Sequence, residues 1–281
     1  YGDHRDLHSF PTRRSSDLPL GAAPIVLVNH ALTGNSSVAG KKGWWTQLVG
    51  NGKIIDTKRY TILCFNIPGN GYDGFFVENP QDITMKDVAR MFLEGLENMG
   101  VKKLHSIIGA SLGGSLAWEM AFLKPDIARQ LIPIACDYIA SDWLLAHTYL
   151  QQRILEHSSH PMEDARVHAM MMYRSAASIN NRFKREKAEK NGLFQVEDWL
   201  DYHGKSLNNR FTLLSYKYMN QLIKTIKTTD NPSDLLRISA DIHLVAIQSD
   251  IYFTAERNQA TYNMLKKQKP NVFYHEIAST H

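Results

Sequence analysis

The stretch Leu104–Leu123, LHSIIGASLGGSLAWEMAFL, decides the fold. It begins with a short apolar run that is typical of a buried β-strand. It ends in residues that favour a helix, such as Leu, Ala and Met. Between the two lies Gly109-Ala110-Ser111-Leu112-Gly113, a G-x-S-x-G pattern. The pattern alone arises by chance in about one chain of this length in ten, but its position at a strand-to-helix turn makes it specific.

Such a turn predicts that Ser111 is a nucleophile. The turn is tight and strained, and side chains at its two flanking positions would collide with backbone, so both are Gly. The serine begins a helix, where free N–H groups favour developing negative charge. The N–H of Leu112 is then predicted to be one donor of an oxyanion hole. The alternative is a Gly-rich turn with an idle serine.

The neighbouring segments alternate between strand and helix patterns. Pro24–Asn29 (PIVLVN), Tyr60–Ile67 and Leu131–Ala135 are apolar runs that predict buried strands. Thr84 is predicted to begin a helix, because Asp87 stands at the spacing of a capping box. The alternation predicts an α/β fold with a parallel sheet covered on both faces.

The pattern changes in residues 138–236, where only helical material is predicted. Ile242–Ile247 and Val272–Ile277 then continue the sheet, with a helix over Glu256–Lys267 between them. An insertion of this kind predicts a lid over the active site; the alternative is a purely structural helical subdomain. The predicted division is a first core part over residues 19–137, the lid, and a second core part over residues 237–281.

Residues 1–18 are predicted to be a non-native tail. They have no periodicity, and HRDLHSFPTRRSSDL resembles translated sequencing-adapter sequence. A short native disordered terminus is the alternative.

Composition argues against several classes of protein and of site. The chain is 43% hydrophobic and 21% charged with a net charge of +4, which argues against a nucleic-acid partner. No apolar run reaches the roughly 18 residues of a membrane span.

Cys64 and Cys136 lie in apolar stretches, which favours buried thiols and a cytoplasmic location. No metal site is predicted, since the histidines and glutamates over residues 156–163 are typical of a solvated surface.

Two further site residues follow from position. Asp250 comes directly after the strand Ile242–Ile247, where the acid of a Ser, Asp, His order is expected. The loop His30–Gly34 follows the first visible strand, and the N–H of Leu32 is its predicted oxyanion donor. The alternatives are a helix-cap aspartate and a simple turn.

These motifs together resemble the homoserine O-acetyltransferase family, which has the α/β-hydrolase fold. The resemblance runs from about Pro24 to His281. It is carried by NHALTGNS at residues 29–36, GWW at 43–45, IDTKRY at 55–60, GASLGG at 109–114, YRS at 173–175, RFTLLSYKY at 210–218 and QSDIYF at 248–253.

The resemblance implies an acyltransferase of methionine biosynthesis. Acyl-CoA would acylate Ser111, and the hydroxyl of homoserine would take the acyl group. Arg174 would hold the carboxylate of this small amino-acid acceptor; a surface ion pair is the alternative. Acyl-CoA is a co-substrate, and no other cofactor is expected. A homodimer, a succinyl donor, a serine acceptor and a general ester hydrolase are left open. The intact Ser111, Asp250 and Arg174 argue against a non-catalytic binding module.

The chain departs from the family pattern in two ways: the G-H-D that carries the general base is absent, and so are the family's first strands and its last helix. The family ends in S-x-x-G-H-D, and Ser279-Thr280-His281 would occupy S-x-x. The base is therefore expected just beyond His281, with His281 itself the less favoured candidate. The chain is expected to lack both native ends and to be inactive as printed.

Overall fold

A seven-stranded sheet forms the centre of the protein in the computed structural model, which describes residues 12–14 and 18–279. Its strands are β1 Thr12–Arg14, β2 Ile25–Asn29, β5 Thr61–Phe65, β6 Leu104–Ala110, β7 Ala128–Ile134, β8 Asp241–Ile247 and β9 Val272–Ile277, while β3 Val49–Gly50 and β4 Ile55–Asp56 form a separate pair. The strand order is β1, β5, β2, β6, β7, β8, β9, and every neighbouring pair is parallel except β1 with β5. The predicted α/β fold with a mostly parallel sheet is confirmed.

Helices connect and cover the strands. Those of the sheet region are α1 Met85–Asn98, α2 Leu112–Leu123 and α8 Ala255–Lys266; those between β7 and β8 are α3 Asp142–His157, α4 Pro161–Met172, α5 Ala176–Phe183, α6 Gln195–Asn208 and α7 Leu213–Lys224, followed by a 3-10 turn at Pro232–Arg237. The predicted start of α1 is confirmed, because Thr84 and Asp87 form a capping box.

The residues of β2 alternate between the two faces of the sheet, as a strand requires. Ile25 and Leu27 join the larger core beneath α1 and α2. Val26 and Val28 join a smaller core on the opposite face, which residues 38–60 cover with Val38, Val49 and their neighbours. All five residues of β2 are buried, and the first four form a continuous apolar run.

The first and last segments of the helical insertion, residues 138–236, are joined to each other by backbone hydrogen bonds. Ala140 N–H donates to the Ile226 carbonyl (2.9 Å), and Thr228 N–H donates to the Tyr138 carbonyl (2.9 Å). The chain therefore enters and leaves the insertion side by side. The domain boundaries drawn from the sequence stay predictions.

The first residues lie mostly outside the described part of the chain. Within the predicted tail, Thr12–Arg14 pairs antiparallel with Leu63–Phe65 at the edge of the sheet. Residues 1–11 and 15–17 are outside the described residues, so the origin of the tail stays a prediction.

The parallel strands bring their carboxyl ends to one edge of the sheet. The loops after β2, β6, β7 and β8 start at His30, Ser111, Ala135 and Gln248. In open α/β sheets this edge is where sites are found. The predicted nucleophile, acid and oxyanion loop therefore lie on one side of the molecule.

Candidate active site

Ser111 occupies a strained turn between β6 and α2. Its φ is 55° and its ψ is −128°, a conformation that residues with a side chain rarely adopt. Its backbone N–H donates to the carbonyl of Ile134 on the neighbouring strand (2.9 Å). The turn places Ser111 on the wall of a cavity at the carboxyl edge of the sheet.

The two glycines of the pattern are explained by close backbone contacts. A Cβ on Gly109 would lie 2.3 Å from the carbonyl oxygen of Gly113. A Cβ on Gly113 would lie 2.3 Å from the carbonyl oxygen of Asn29 at the end of β2. Such distances are far below van der Waals contact, so any larger residue would push the elbow out of position.

Leu112 and Leu32, the residues of the two predicted oxyanion donors, lie near the serine. Leu112 is the first residue of α2, where the N–H has no carbonyl one turn back in the helix. Leu32 lies in the turn after β2, which is closed by a hydrogen bond from Gly34 N–H to the Ala31 carbonyl (2.9 Å). Leu32 lines the same cavity as Ser111. The arrangement can stabilise an oxyanion formed on a carbon attached to Ser111 Oγ.

Asp250 lies on the same cavity, two residues after Gln248 begins the loop. Its Oδ1 accepts hydrogen bonds from the N–H groups of Tyr252 (2.7 Å) and Phe253 (2.9 Å). Among the described residues both bonds fall on Oδ1, which leaves Oδ2 to accept an imidazole N–H. Burial raises the pKa of Asp250, and the two backbone bonds partly offset this.

A second carboxylate at this edge is differently engaged. Asp137 follows β7, is buried, and forms an ion pair with Nε of Arg257 on α8 (2.6 Å). Burial raises the pKa of Asp137, and the guanidinium of Arg257 opposes that shift. The carboxylate of Asp137 is therefore paired with Arg257, whereas that of Asp250 lines the cavity. Sequence analysis missed Asp137, although it follows a predicted strand as Asp250 does.

The cavity has a volume of about 400 Å³. Its floor comes from the sheet edge with Ser111, Leu32 and Asp250, and its roof comes from the helical insertion with Arg166 and Tyr173. A cavity of this size fits a small organic molecule. Another cavity, of about 470 Å³, lies at the amino ends of the strands beside Lys102 and Arg129, and none of the predicted site residues lines it.

Two arginines of the insertion are placed differently. Arg166 on α4 lines the cavity, and its Cζ lies 5.5 Å from the ring centre of Tyr173. Arg174 follows α4, and its Cζ lies 5.9 Å from the ring centre of Trp199. Arg174 is not among the residues that line the cavity, so its predicted role stays a prediction. Sequence reasoning missed Arg166, because no local pattern shows which side chains of α4 reach the cavity.

Tyr173, Tyr216 and Tyr252 line a small space beside the serine. Burial raises the pKa values of Tyr216 and Tyr252, so their hydroxyls stay protonated near neutral pH. Among the described residues, Tyr216 OH and Oε1 of Gln151 are buried without a hydrogen-bond partner. Both line a space of about 20 Å³ next to Ser111, so polar atoms remain on this side of the site.

The described chain ends before the expected base. His281 and Thr280 lie outside the described residues, so the predictions about the base remain open. In the described part of the chain, no group of three or more His, Cys, Asp and Glu side chains could hold a metal ion. Nor does any helix there have the length and apolar character needed to cross a membrane.

Comparison with known proteins places this chain in a family. The profile described as alpha/beta hydrolase fold matches residues 24–280. The homoserine O-acetyltransferase of Symbiobacterium thermophilum is 30% identical over 90% of this chain and 78% of that protein. The corresponding enzyme of Trichormus variabilis is 31% identical over 83% of this chain and 72% of that protein. That of Methanococcus vannielii is 31% identical over 90% of this chain, which spans only 60% of its length.

Solved structures support the fold. The homoserine O-acetyltransferase from Bacillus anthracis superimposes with a TM-score of 0.83 at 19% identity, covering 96% of this chain and 85% of that one. Esterase E22 superimposes with a TM-score of 0.82 at 17% identity, covering 96% and 87%. By its profile match and its relatives in sequence, the chain belongs to the alpha/beta hydrolase fold family and, within it, to the homoserine O-acetyltransferase family.

Proposed function

We propose that this protein transfers an acetyl group from acetyl-CoA to the hydroxyl of homoserine, through an ester on Ser111, in methionine biosynthesis. The observation that carries the proposal is that Ser111 and the guanidinium-bearing Arg166 line one cavity of about 400 Å³. A nucleophile supports acyl-enzyme chemistry. A cation in the same cavity supports an acceptor with a carboxylate.

The first half-reaction forms the acyl-enzyme. Ser111 Oγ attacks the thioester carbonyl while a histidine takes its proton. The carbonyl oxygen becomes an oxyanion held by the N–H groups of Leu32 and Leu112. The intermediate collapses, the C–S bond breaks, and the CoA sulfur leaves with the proton. Asp250 orients the histidine and stabilises its charged form.

The second half-reaction returns the serine. The homoserine hydroxyl loses its proton to the histidine and attacks the ester carbonyl, and the bond to Ser111 Oγ breaks as Oγ regains a proton. A guanidinium holds the acceptor carboxylate by two parallel hydrogen bonds. The resemblance to the family favours Arg174 for this role, but the geometry favours Arg166, because of these two arginines only Arg166 lines the cavity. The free thiols Cys64 and Cys136 agree with the cytoplasmic location proposed for the enzyme.

The decisive experiment separates the two half-reactions in the full-length protein. Acetyl-CoA alone should leave an acetyl group on Ser111 that mass spectrometry maps and that Ser111→Ala abolishes. Added homoserine should discharge it as O-acetylhomoserine faster than water discharges it as acetate. An adduct on another residue, or free acetate as the main product with homoserine present, would contradict the proposal. Succinyl-CoA and serine, run in parallel, test the alternative donor and acceptor.

A matched pair of substitutions assigns the carboxylate. Arg166→Lys and Arg174→Lys both keep a positive charge but lose the planar fork. We expect Arg166→Lys to raise the KM for homoserine while acylation of Ser111 by acetyl-CoA continues, and Arg174→Lys to change little. The reverse result would restore the assignment to Arg174. Equal loss in both half-reactions would show that the substituted arginine is structural.

A further inference from the structure

His30 is a buried side chain that the chemistry above does not use. It is the first residue after β2 and is fully inaccessible to solvent. Its Nε2 lies 3.0 Å from the N–H of Ile67 and 3.3 Å from Nδ2 of Asn70. Its Nδ1 lies 2.8 Å from the carbonyl oxygen of Ala31. The ring therefore bridges the end of β2 and the segment that follows β5.

The partners of His30 specify its tautomer. The backbone N–H of Ile67 can only donate, so Nε2 must carry the lone pair. The carbonyl of Ala31 can only accept, so Nδ1 must carry the proton. Burial lowers the pKa of His30 to about 4, which keeps this neutral form near neutral pH. Both ring nitrogens are then satisfied by backbone groups.

The carbonyl of Ala31 shares a peptide unit with the N–H of Leu32. This carbonyl accepts from Nδ1 of His30 and from Gly34 N–H (2.9 Å). A trans peptide is planar, so its C=O and N–H point in opposite directions. Two donors that fix the oxygen on one side therefore fix the Leu32 N–H on the other. Leu32 lines the cavity beside Ser111.

The same segment also touches the other donor of the oxyanion hole. Nδ2 of Asn29 donates to the carbonyl of Gly113 (3.3 Å), in the first turn of the helix that Leu112 begins. A Cβ on Gly113 would lie 2.7 Å from the carbonyl oxygen of His30. The end of β2 is therefore packed against the start of α2, with no room for adjustment.

We propose that His30 is a positioning residue for the oxyanion hole, whose Nδ1–H holds the Ala31–Leu32 peptide so that the Leu32 N–H points at the carbonyl oxygen of the group that Ser111 attacks. His30 touches neither substrate nor reacting atoms. It fixes one donor relative to the other through the peptide it binds. The inference rests on the acyl-enzyme half of the proposed function, and it does not depend on the identity of the donor or the acceptor.

Two substitutions separate this role from a purely structural one. His30→Asn keeps a donor at the distance of Nδ1 and loses the acceptor that binds Ile67. His30→Gln reaches the position of Nε2 and can accept from Ile67, but it loses the donor to Ala31. Turnover of 4-nitrophenyl acetate by the full-length protein is the readout, because acylation of a nucleophilic serine by this ester releases 4-nitrophenolate whatever the natural acyl acceptor is. A failure of homoserine acetylation would leave this assay intact.

The two variants should differ in kcat and not in KM. His30→Gln should lower kcat by about 100-fold, as expected when a catalytic group is misplaced by about 1 Å. His30→Asn should retain most of kcat, although it loses the bond to Ile67. Inhibition by a trifluoromethyl ketone, whose adduct places an oxyanion in the hole, should weaken in His30→Gln in parallel with kcat. His105→Gln, at the other end of β6 from Ser111, is the control and should change neither value.

Other outcomes overturn the proposal. If His30→Asn loses as much kcat as His30→Gln, or more, His30 acts by anchoring Ile67 and the fold. If neither variant changes kcat, the Leu32 N–H is positioned without His30. Melting temperatures of both variants are measured beforehand, and kinetics are compared only per active site titrated, so that partial unfolding is not counted as lost positioning.

Discussion

Arg210 is hydrogen-bonded to Thr33, the residue that follows the predicted oxyanion donor Leu32. Nη1 of Arg210 donates to the Thr33 carbonyl (3.1 Å), and Nη2 donates to Thr33 Oγ1 (3.4 Å). Nη1 also lies 3.0 Å from the hydroxyl of Tyr72. Arg210 belongs to the helical insertion, just before α7, while Thr33 belongs to the sheet edge. The insertion is therefore tied directly to the oxyanion loop.

Removing the hydrogen bonds of Arg210 should make the loop that contains Leu32 and Thr33 more mobile without unfolding the protein. In Arg210→Ala we expect faster hydrogen exchange at the Gly34 amide, whose bond to Ala31 closes the turn. Because Arg210 is exposed, the free energy of unfolding should fall by only about 0.5 kcal/mol. Arg210→Lys should behave similarly, since one ammonium cannot reach all three acceptors. Lys205→Ala, exposed on α6, is the control and should leave the exchange unchanged. Unchanged exchange in Arg210→Ala would show that these hydrogen bonds are not needed to hold the loop.

The strained backbone of Ser111 predicts that glycine at this position gives a more stable protein than alanine. Ser111→Ala and Ser111→Gly both remove the nucleophile, but Gly adopts a φ of 55° freely. Relief of about 1–3 kcal/mol of strain exceeds the extra unfolded-state entropy of Gly, about 0.5–1 kcal/mol. Urea unfolding should therefore find Ser111→Gly more stable than Ser111→Ala by about 1 kcal/mol. Ala146→Gly, at an exposed position in α3, should show the opposite order; the same order at both positions would mean that the elbow stores no strain.

The elbow could be predicted because its evidence is local. The run Leu104–Ala110, the glycines and the helix formers after Ser111 all lie in one stretch of chain, and the strand and helix have the predicted bounds. By contrast, β7 begins at Ala128, three residues before the predicted Leu131. Polar residues open this strand, and Gln130 accepts a hydrogen bond from Ser106 of β6 (3.1 Å). That bond depends on a neighbouring strand, which an apolar pattern does not show.

The roles of Arg166 and His30 could not be read from local sequence. The spacing on α4 shows which face of the helix is apolar, but not how the helix lies over the sheet edge, so it does not indicate that Arg166 lines the cavity. His30 acquires its tautomer from Ile67, a residue far along the chain. Contacts of this kind arise only when distant segments meet.

The two thiols are expected to be unreactive in the folded protein. Burial raises the pKa values of Cys64 and Cys136, so neither thiolate forms readily. At pH 8, a disulfide reagent such as DTNB should react slowly with the native protein and should modify both residues quickly in urea. Lys41→Cys, which adds a thiol at an exposed position, should react at once under native conditions. A fast native reaction of the unsubstituted protein would show that one of the two sites opens.

The pKa of His30 predicts how stability depends on pH. Its pKa is lowered by burial from 6.5 to about 4 in the folded protein. In the unfolded chain it returns to about 6.5. Between these values the unfolded state binds the proton and the folded state does not, so acid favours unfolding. The contribution is fully present above about pH 6.5, is lost as the pH falls, and levels off below about pH 4.

The quantity to measure is the difference in the free energy of unfolding between the protein and His30→Asn. A difference is needed because other groups have the opposite dependence on pH. Burial raises the pKa values of Asp137, Asp250 and Glu119, so their protonation favours the folded state as the pH falls. Subtracting the variant removes those contributions. In urea unfolding, the stability advantage over His30→Asn should shrink by about 1.4 kcal/mol for each pH unit within this window. The total loss should be roughly 3 kcal/mol for a shift from 6.5 to about 4. Parallel stability curves for the two proteins would show that His30 keeps an ordinary pKa, and that its Nδ1–H is not held in the neutral ring as inferred.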